Sequence, residues 1–380
     1  MRADVVVVGG GIQGVTMALA AARKGLRPVL VERADIASGA TGNSYGIIHG
    51  GLRYLQTLDL PRWRRSRQAQ SWFLNNYPDF VRPLPCVMPL YRGCFRSRTA
   101  FQAAAMLETV LFSTIGGEPP LPRLRLMSAD EVLRDYPIWS NELTGAALWH
   151  DAEITDLDGL MTTMLTQAGV SGEGLLTHNR AIALCTEAGH VTGVKVRDHK
   201  SGEERFIESS TVINCAGSWC NQWNESGAGP SAAALAFNLI LDLPFPGDAA
   251  LAISERPGRG RSYFLRSLHG NTFAGTFYRG APGEAEPSPS EADVRQFLHT
   301  LDRALPGLGL SEAKVLRIMP GLLPDTDGTG ETLSSRDVFA YNNPDGFHTI
   351  VGGKLTTAPL LSLDVADRLW PDAQSMTRAA

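Results

Sequence analysis

The sequence of 380 residues predicts a two-domain α/β protein. At roughly 150 residues per domain, this length corresponds to two or three domains. The β-branched run Val5–Val8 is typical of a buried parallel strand, and a glycine-rich turn and a segment of helical period follow it at once. A second strand at 28–32 completes a strand–helix–strand unit, which is the building block of a parallel sheet.

Further elements follow from the same two periods of apolar residues. The first helix is predicted over 12–24, and Gly25 suits a left-handed cap at its end. Strands are predicted at 191–196, 205–207 and 211–214. The last helix is predicted to begin near 357–359 and to bury Leu360, Leu363, Ala366 and Leu369.

We expect the domain with the parallel sheet to be discontinuous in the sequence. Segments 76–150 and 226–320 lack the alternation of strand and helix and are richer in proline and aromatic residues, so we assign them to a second domain with a largely antiparallel sheet. Segments 1–75, 151–225 and 321–380 are assigned to the first domain.

Composition and charge exclude several classes of protein. The chain is 43% hydrophobic and 19% charged, which is typical of a folded globular protein. Its net charge of −4 argues against nucleic acid as a partner. The five cysteines form no Cys-x-x-Cys pair, so we expect no metal site, no disulfide framework and a reducing, cytoplasmic location. We also expect neither a signal peptide nor a transmembrane segment.

The turn after the first strand carries a dinucleotide-binding fingerprint. Gly9, Gly11 and Gly14 form G-x-G-x-x-G, which lets a diphosphate approach the backbone at the start of a helix. Glu32 follows the second strand, where an acid can bind a ribose hydroxyl and argues against the 2′-phosphate of NADP. FAD and NAD share this fingerprint, so these residues leave both cofactors open.

Five further motifs, in order along the chain, resemble those of the FAD-dependent glycerol-3-phosphate dehydrogenases, within the wider group of D-amino-acid-oxidase-like flavoproteins. They are His49–Leu55 (HGGLRYL), His150–Asp156 (HDAEITD), Val212–Trp219 (VINCAGSW), Ser335–Asp337 (SRD) and Gly352–Thr357 (GGKLTT). The resemblance implies FAD as the cofactor. It also implies a two-domain fold, with a Rossmann-like βαβ FAD-binding domain and a substrate domain built on an antiparallel sheet.

The resemblance also implies the residues of the site. His49 is expected to be the catalytic base, with Arg53 and Lys354 on the substrate or flavin side. The residues expected to bind the cofactor are Gly9, Gly11, Ile12, Gln13, Gly14, Glu32, Arg33, Ser38, Thr41, Ser44, Ala181, Ala216, Gly217, Trp219, Gly321, Gly353, Lys354, Leu355 and Thr356.

The activity that the resemblance implies is oxidation of a CH–OH group, with a hydride passing to the flavin. Two alternatives stay open: an amine or amino-acid oxidase of the same fold, and a flavoprotein subunit that depends on a partner. The electron acceptor also stays open among oxygen, a quinone and a partner protein.

Three departures from the family's pattern bear on the substrate. Leu323 stands where the family has a substrate-anchoring arginine. Phe277 and Tyr278 replace a threonine and an aspartate, so we expect them to add bulk and apolar surface where the family is polar. The helical C-terminal domain typical of these dehydrogenases is expected to be absent. We therefore expect glycerol 3-phosphate to be a poor substrate, and the true substrate to have a larger, partly apolar or uncharged body.

Overall fold

The computed structural model describes most of the chain. The described residues are 1–92, 97–115, 121–136, 143–223, 232–256, 259–281, 286–325, 329–330, 338–341, 343–352 and 354–373. The predicted motif Ser335–Asp337 and the predicted cofactor residue Gly353 lie outside them. The helices of the described part are α1 (Ile12–Arg23), α2 (Leu52–Gln56), α3 (Leu60–Asn76), α4 (Arg98–Ile115), α5 (Ala129–Asp135), α6 (Leu157–Gln167), α7 (Glu291–Ala304) and α8 (Ala358–Leu369).

The strands form three sheets. In chain order they are β1 (Val5–Val8), β2 (Pro28–Val31), β3 (Ile47–Ile48), β4 (Val81–Leu90), β5 (Arg125–Met127), β6 (Gly145–Ile154), β7 (Leu175–Leu176), β8 (Asn179–Glu187), β9 (His190–Asp198), β10 (Glu204–Glu208), β11 (Val212–Asn214), β12 (Ala232–Leu241), β13 (Ala250–Arg256), β14 (Arg259–Leu268), β15 (Asn271–Gly280), β16 (Val315–Asp325), β17 (Val338–Tyr341) and β18 (Phe347–Val351). The strands predicted at 191–196, 205–207 and 211–214 are confirmed as β9, β10 and β11.

The first sheet is largely parallel, as predicted, with the strand order β17-β18-β11-β1-β2-β7. Strand β1 pairs in parallel with β2 on one side and β11 on the other. Alternate residues of β1 enter different cores: Val5 and Val7 pack against α1, α6 and α8, whereas Val6 and Val8 pack against β9 and β10 of the three-stranded sheet β10-β9-β8. Because both faces of β1 are covered, every position of this strand is apolar.

The third sheet is mostly antiparallel and runs in the order β16-β12-β15-β14-β13-β4-β6-β3, with β5 paired to β6. Helix α7 covers one face, where Phe297 packs between Phe237 and Phe277. Strand β3 and the whole of β16 hydrogen-bond into this sheet. A parallel sheet beside an antiparallel one confirms the predicted fold class, while the domain boundaries stay a prediction.

Helix α8 begins at the predicted place and buries Ala366 as predicted, but the predicted Leu360, Leu363 and Leu369 are only partly buried. Its buried residues are Ala358, Pro359, Leu361, Ser362, Val365 and Ala366. The Ser362 hydroxyl lies 2.9 Å from the Thr16 hydroxyl and accepts from the Gln13 side chain at 2.8 Å. Small and polar residues therefore form the seam between α8 and α1, and the predicted row of leucines lies at its margin. Within the described residues, no helix is long and apolar enough to cross a lipid bilayer.

Candidate cofactor and active site

The glycine turn after β1 packs the start of α1 tightly against the sheet. Gly9 has a φ of +113°, and a Cβ at Gly14 would lie 1.8 Å from the carbonyl oxygen of Gly9. A side chain at Gly14 would push the helix off the strand. Gly11 is the N-cap of α1 and supplies no side-chain cap, so the first turn of the helix keeps N–H groups for an anion apart from that of Ile12, which donates to the Thr41 hydroxyl.

Glu32 binds this turn with both oxygens of its carboxylate. Oε2 accepts from the backbone N–H of Gly10 at 2.6 Å, and Oε1 accepts from that of Ala34 at 2.9 Å. The carboxylate therefore fixes the shape of the glycine turn from the end of β2. Its predicted hydrogen bond to a ribose hydroxyl stays a prediction, because each oxygen retains a further lone pair.

The loop at 37–44 lies across the start of α1. The Thr41 hydroxyl accepts from the Ile12 N–H at 3.0 Å, and a Cβ at Gly11 would lie 3.1 Å from that hydroxyl. The predicted cofactor residues Ser38 and Ser44 belong to the same loop, where their N–H groups bond to the carbonyls of Asp35 and Thr41 at 3.2 Å each. The structure thus brings this hydroxyl-rich loop to the N-terminal end of the helix.

A second group of predicted cofactor residues lies at the end of β11. The guanidinium of Arg33 lies 4.3 Å from the ring centre of Trp219. The Asn214 side chain fixes this turn, since its Oδ1 accepts from the Ala216 N–H at 3.1 Å. Gly217, at φ +58°, opens the 3-10 helix that carries Trp219. These contacts place Arg33 and Trp219 beside the loop at 37–44, where Trp219 also approaches Gly39.

Ala181 and Gly321 reach the same region from two other sheets. The segment that leads into Ala181 bonds to the loop after β2, because the Asn179 N–H donates to the Glu32 carbonyl at 2.9 Å. Gly321 faces the loop at 37–44, and a Cβ on it would lie 3.0 Å from Cα of Ala40. A glycine lets β16 pass this close to the loop without displacing Ala40.

His49 is held by two segments that are distant from it in the sequence. Its Nδ1 lies 2.9 Å from Oδ2 of Asp151 on β6, and the other oxygen of Asp151 accepts from the Gly50 N–H at 2.7 Å. The His49 N–H donates to the Thr356 hydroxyl, just before α8, at 3.3 Å. The side chain of His49 is 52% exposed and that of Asp151 is 4% exposed, so the pair has a buried anchor and an accessible ring.

Asp151 is ionised over the ordinary range of pH. Burial alone would raise its pKa, but the nearby His49 and the hydrogen bonds from the His49 side chain and the Gly50 N–H outweigh burial and hold the pKa below its usual value of 3.8. Because the carboxylate is anionic and accepts hydrogen bonds, it favours the His49 tautomer that carries its hydrogen on Nδ1. The second ring nitrogen is then left with a free lone pair.

Lys354 and Arg53 bring positive charge to the same side of the molecule. Lys354 Nζ donates to the Tyr54 hydroxyl at 2.6 Å and lies 5.2 Å from the centre of the Tyr54 ring. Arg53, one residue earlier on α2, is exposed. Leu355 packs against the core beneath α8. Lys354 and Leu355 therefore belong to the segment that presents Thr356 to His49, and Tyr54 ties this segment to α2.

The described residues of the glycine turn fit an extended dinucleotide. The glycines of the turn place no Cβ against the loop at 37–44, where one at Gly11 would lie 3.1 Å from the Thr41 hydroxyl, and the N-terminal end of α1 attracts a diphosphate. The side-chain oxygen Oε1 of Gln13 is buried, and no donor among the described residues reaches it. Since a buried acceptor without a donor is costly, a ligand with hydroxyl groups near this turn would relieve it. FAD has both the diphosphate and the hydroxyls.

The altered residues of the substrate motif lie on opposite faces of the antiparallel sheet. Phe277 packs 4.8 Å from Phe237 in the core beneath α7, so the expectation that it adds bulk to the site is wrong. Tyr278 and Leu323 are directly opposite Ala236 and Ala234 on β12, which puts them on the face that also carries Gly321. The change at this face therefore concerns Tyr278 and Leu323.

Asp151 is the residue of the candidate site to which sequence analysis gave no role. It was recognised as part of an acidic motif, but no role was assigned to it. The available signal was alternation along β6, where Asp151 and Glu153 occupy every second position and both are buried. A buried carboxylate in a strand needs a partner, and for Asp151 that partner is His49.

Comparison with known proteins agrees with this architecture. Glycerol-3-phosphate dehydrogenase 1 of Mycobacterium bovis is 30% identical over 397 residues, which cover 96% of this chain and 72% of that protein. Glycerol-3-phosphate dehydrogenase of Synechocystis is 28% identical over 394 residues, covering 97% and 70%. The structure of the Bacillus halodurans glycerol-3-phosphate dehydrogenase complexed with FAD superposes with a TM-score of 0.73 at 20% identity, covering 99% of this chain and 66% of that one. L-proline dehydrogenase from P. horikoshii shares the fold with a TM-score of 0.70 at 18% identity, covering 99% and 95%.

The fold and the glycine turn define a flavoprotein oxidoreductase. Residues 4–368 match the FAD dependent oxidoreductase family, known as DAO, and the chain belongs to that family. It is therefore an FAD-dependent enzyme. The predicted cofactor is confirmed, and the roles of the individual site residues stay predictions.

Proposed function

We propose that this enzyme oxidises a carbon that bears a hydroxyl group, and that His49 takes the hydroxyl proton. The observation that carries the proposal is the 2.9 Å contact between His49 Nδ1 and buried Asp151. Asp151 orients the ring and stabilises the positive charge that His49 acquires with the proton. Nε2, the ring nitrogen of His49 that faces away from Asp151, is the atom that receives it. FAD, when bound, supplies the acceptor for the hydride.

We further propose that glycerol 3-phosphate is a poor substrate. A phosphate in a partly dry site needs charged donors, and the loss of one charge-assisted hydrogen bond costs about 1.5–3 kcal/mol, or one to two decades of affinity. Leu323 supplies no such donor on the face that carries Gly321. Arg279 does not replace it, because its Nε binds both oxygens of Asp293 on α7 at 3.1 Å. Lys354 and Arg53 support one anionic group, such as a carboxylate or a single phosphate.

Anaerobic bleaching of the bound flavin tests both parts of the proposal. The compounds to compare are glycerol 3-phosphate, 2-hydroxyacids, amino acids and bulkier polyol derivatives, each with the wild type and with His49→Asn. We expect a hydroxy compound other than glycerol 3-phosphate to bleach fastest, and the variant to keep its FAD but react about 10²–10⁴-fold more slowly.

The same screen contains the outcomes that contradict the proposal. Fastest bleaching by an amino acid would identify an amine or amino-acid oxidase. No bleaching by any compound would point to a flavoprotein subunit that needs a partner. An unchanged rate in His49→Asn would move the base elsewhere. Turnover of glycerol 3-phosphate with a kcat/KM of about 10⁴ M⁻¹s⁻¹ or more would show that another cation replaces the missing arginine.

The location and the electron acceptor are also proposals. The cysteines Cys86, Cys185, Cys215 and Cys220 are free thiols, which supports a reducing, cytoplasmic compartment. Oxygen, a quinone and a partner protein remain the three candidate acceptors. Peroxide release during turnover in air would identify oxygen.

A further inference from the structure

A chain of buried polar side chains runs from α4 through α3 to the peptide before His49. Glu108 on α4 binds the Nη2 of Arg67 on α3, and their side chains are 2% and 13% exposed. The Nη1 of Arg67 donates to Oε1 of Gln70 at 3.1 Å. Gln70 is fully buried, and its Nε2 donates to the carbonyl oxygen of Ile48 at 3.0 Å. The chain therefore ends one residue before His49.

The side chains of Arg67 and Gln70 also lie close to the backbone of Gly50, the residue after His49. A Cβ at Gly50 would lie 2.8 Å from Arg67 Nη1 and 2.9 Å from Gln70 Oε1. The N–H of Gly50 is bound on its other side by Asp151 at 2.7 Å. Backbone groups on both sides of His49 are thus tied to buried side chains, and the N–H of His49 is tied to Thr356.

Stability alone gives a weak reason for this arrangement. Replacing a buried ion pair by apolar side chains of similar volume is often neutral or stabilising, because burial of two charges costs desolvation energy. Within the described residues, the buried chain terminates on the one segment that carries the proposed base. Displacement of a reacting group by about 1 Å can lower the rate on the order of 100-fold.

We infer that Arg67, Gln70 and Glu108 are positioning residues, which hold the backbone of Ile48–Gly50 so that the His49 ring stays on Asp151 and faces substrate. This inference rests on the proposed role of His49. Gln70 makes the direct contact, Arg67 orients the Gln70 amide, and Glu108 neutralises and orients Arg67.

The test uses Gln70→Met in the FAD-loaded protein, since methionine is unbranched and of similar size but donates no hydrogen bond. Tyr77→Phe is the matched control: Tyr77 is buried just beyond the end of α3, and its hydroxyl donates to Gln167 at 2.7 Å, away from His49. Tyr77→Phe loses one buried side-chain hydrogen bond, whereas Gln70→Met loses two, one from Arg67 and one to the Ile48 carbonyl. The probes are glycerol 3-phosphate and the compound that bleaches the flavin fastest in the wild type.

Flavin reduction should slow about 10- to 100-fold in Gln70→Met and less than about twofold in Tyr77→Phe. In a His49→Asn background, Gln70→Met should have little further effect, because its action passes through His49. Equal slowing in both backgrounds would show a merely structural role and would overturn the inference. Unchanged reduction in Gln70→Met would overturn it as well.

Hydrogen exchange provides a second readout that does not depend on activity. We expect the amides of residues 47–51 to exchange faster in Gln70→Met than in wild type, with no such change in Tyr77→Phe. Unchanged exchange there would overturn the inference even if no compound bleaches the flavin. If His49→Asn reacts like the wild type while exchange does increase, the proposed base fails and the backbone fixation stands.

Discussion

The carboxylate of Asp151 is the most informative group to remove, because two donors share it. Asp151→Asn keeps the size of the side chain but leaves one acceptor oxygen for the His49 Nδ1–H at 2.9 Å and the Gly50 N–H at 2.7 Å. One of the two donors then faces an NH₂ group. In addition, the variant loses the anion that stabilises a protonated ring. A charge-assisted hydrogen bond is worth about 1.5–3 kcal/mol, so flavin reduction should slow about 10- to 100-fold.

The measurement is the rate of anaerobic flavin reduction in stopped flow, with FAD content and the flavin spectrum as checks on folding. Cys86→Ala is a suitable control, because Cys86 is a buried neighbour of Asp151 whose pKa is raised by burial and which is therefore an uncharged thiol. This control should keep its reduction rate. A rate in Asp151→Asn within about twofold of wild type, with FAD retained, would refute the view that Asp151 orients and stabilises His49.

Three further predictions concern the cofactor, the substrate and pH. Gly11→Val should abolish FAD binding, since its side chain would project toward the Thr41 hydroxyl, 3.1 Å from the Cβ position; retained yellow colour after purification would contradict it. Leu323→Arg should raise kcat/KM for glycerol 3-phosphate about 10- to 100-fold, whereas Leu316→Arg, at an exposed position near the start of β16, should not. Folding lowers the pKa of Asp151, so the ionised carboxylate stabilises the folded protein above about pH 3.8, and this contribution is lost as the pH falls below that value. Denaturant titrations should therefore show that the difference in unfolding free energy between wild type and Asp151→Asn shrinks below about pH 3.8.

The parts of the fold with local signals were predictable from the sequence. The run Val5–Val8, the glycine turn and the period of 12–24 identify β1 and α1 because each signal lies within a few residues of the element that it predicts. Full burial of the leucines of α8 was predicted wrongly, because α8 packs on α1 through small residues and not through its most apolar row. The buried face of α8 is determined by its contact with Thr16 of α1, so the sequence of α8 alone does not reveal it.

The site was predictable in part, and for a related reason. His49 was recognised through its motif, but its partner Asp151 is 102 positions away and meets it only because β3 pairs with β6. Phe277 was assigned to the site from its place in a motif. The register of β15 against β12 turns it into the core instead, and this register depends on contacts across the whole sheet.

The order of strands in the parallel sheet has a consequence for synthesis of the chain. β1 pairs with β11, and β11 needs β18 as its other neighbour, about 340 residues after the glycine turn. At about 5–20 residues per second, a ribosome reaches β18 roughly 20–70 s after it has made that turn. The sheet therefore closes long after β1 has emerged. β1 can pair with β2 at once, but its other edge stays unpaired until β11 is made, and the sheet is unfinished until β18 follows. During that interval the unpaired edge of β1 could pair with other nascent chains. We therefore expect the yield of this protein to depend on chaperone binding and on a supply of FAD during synthesis.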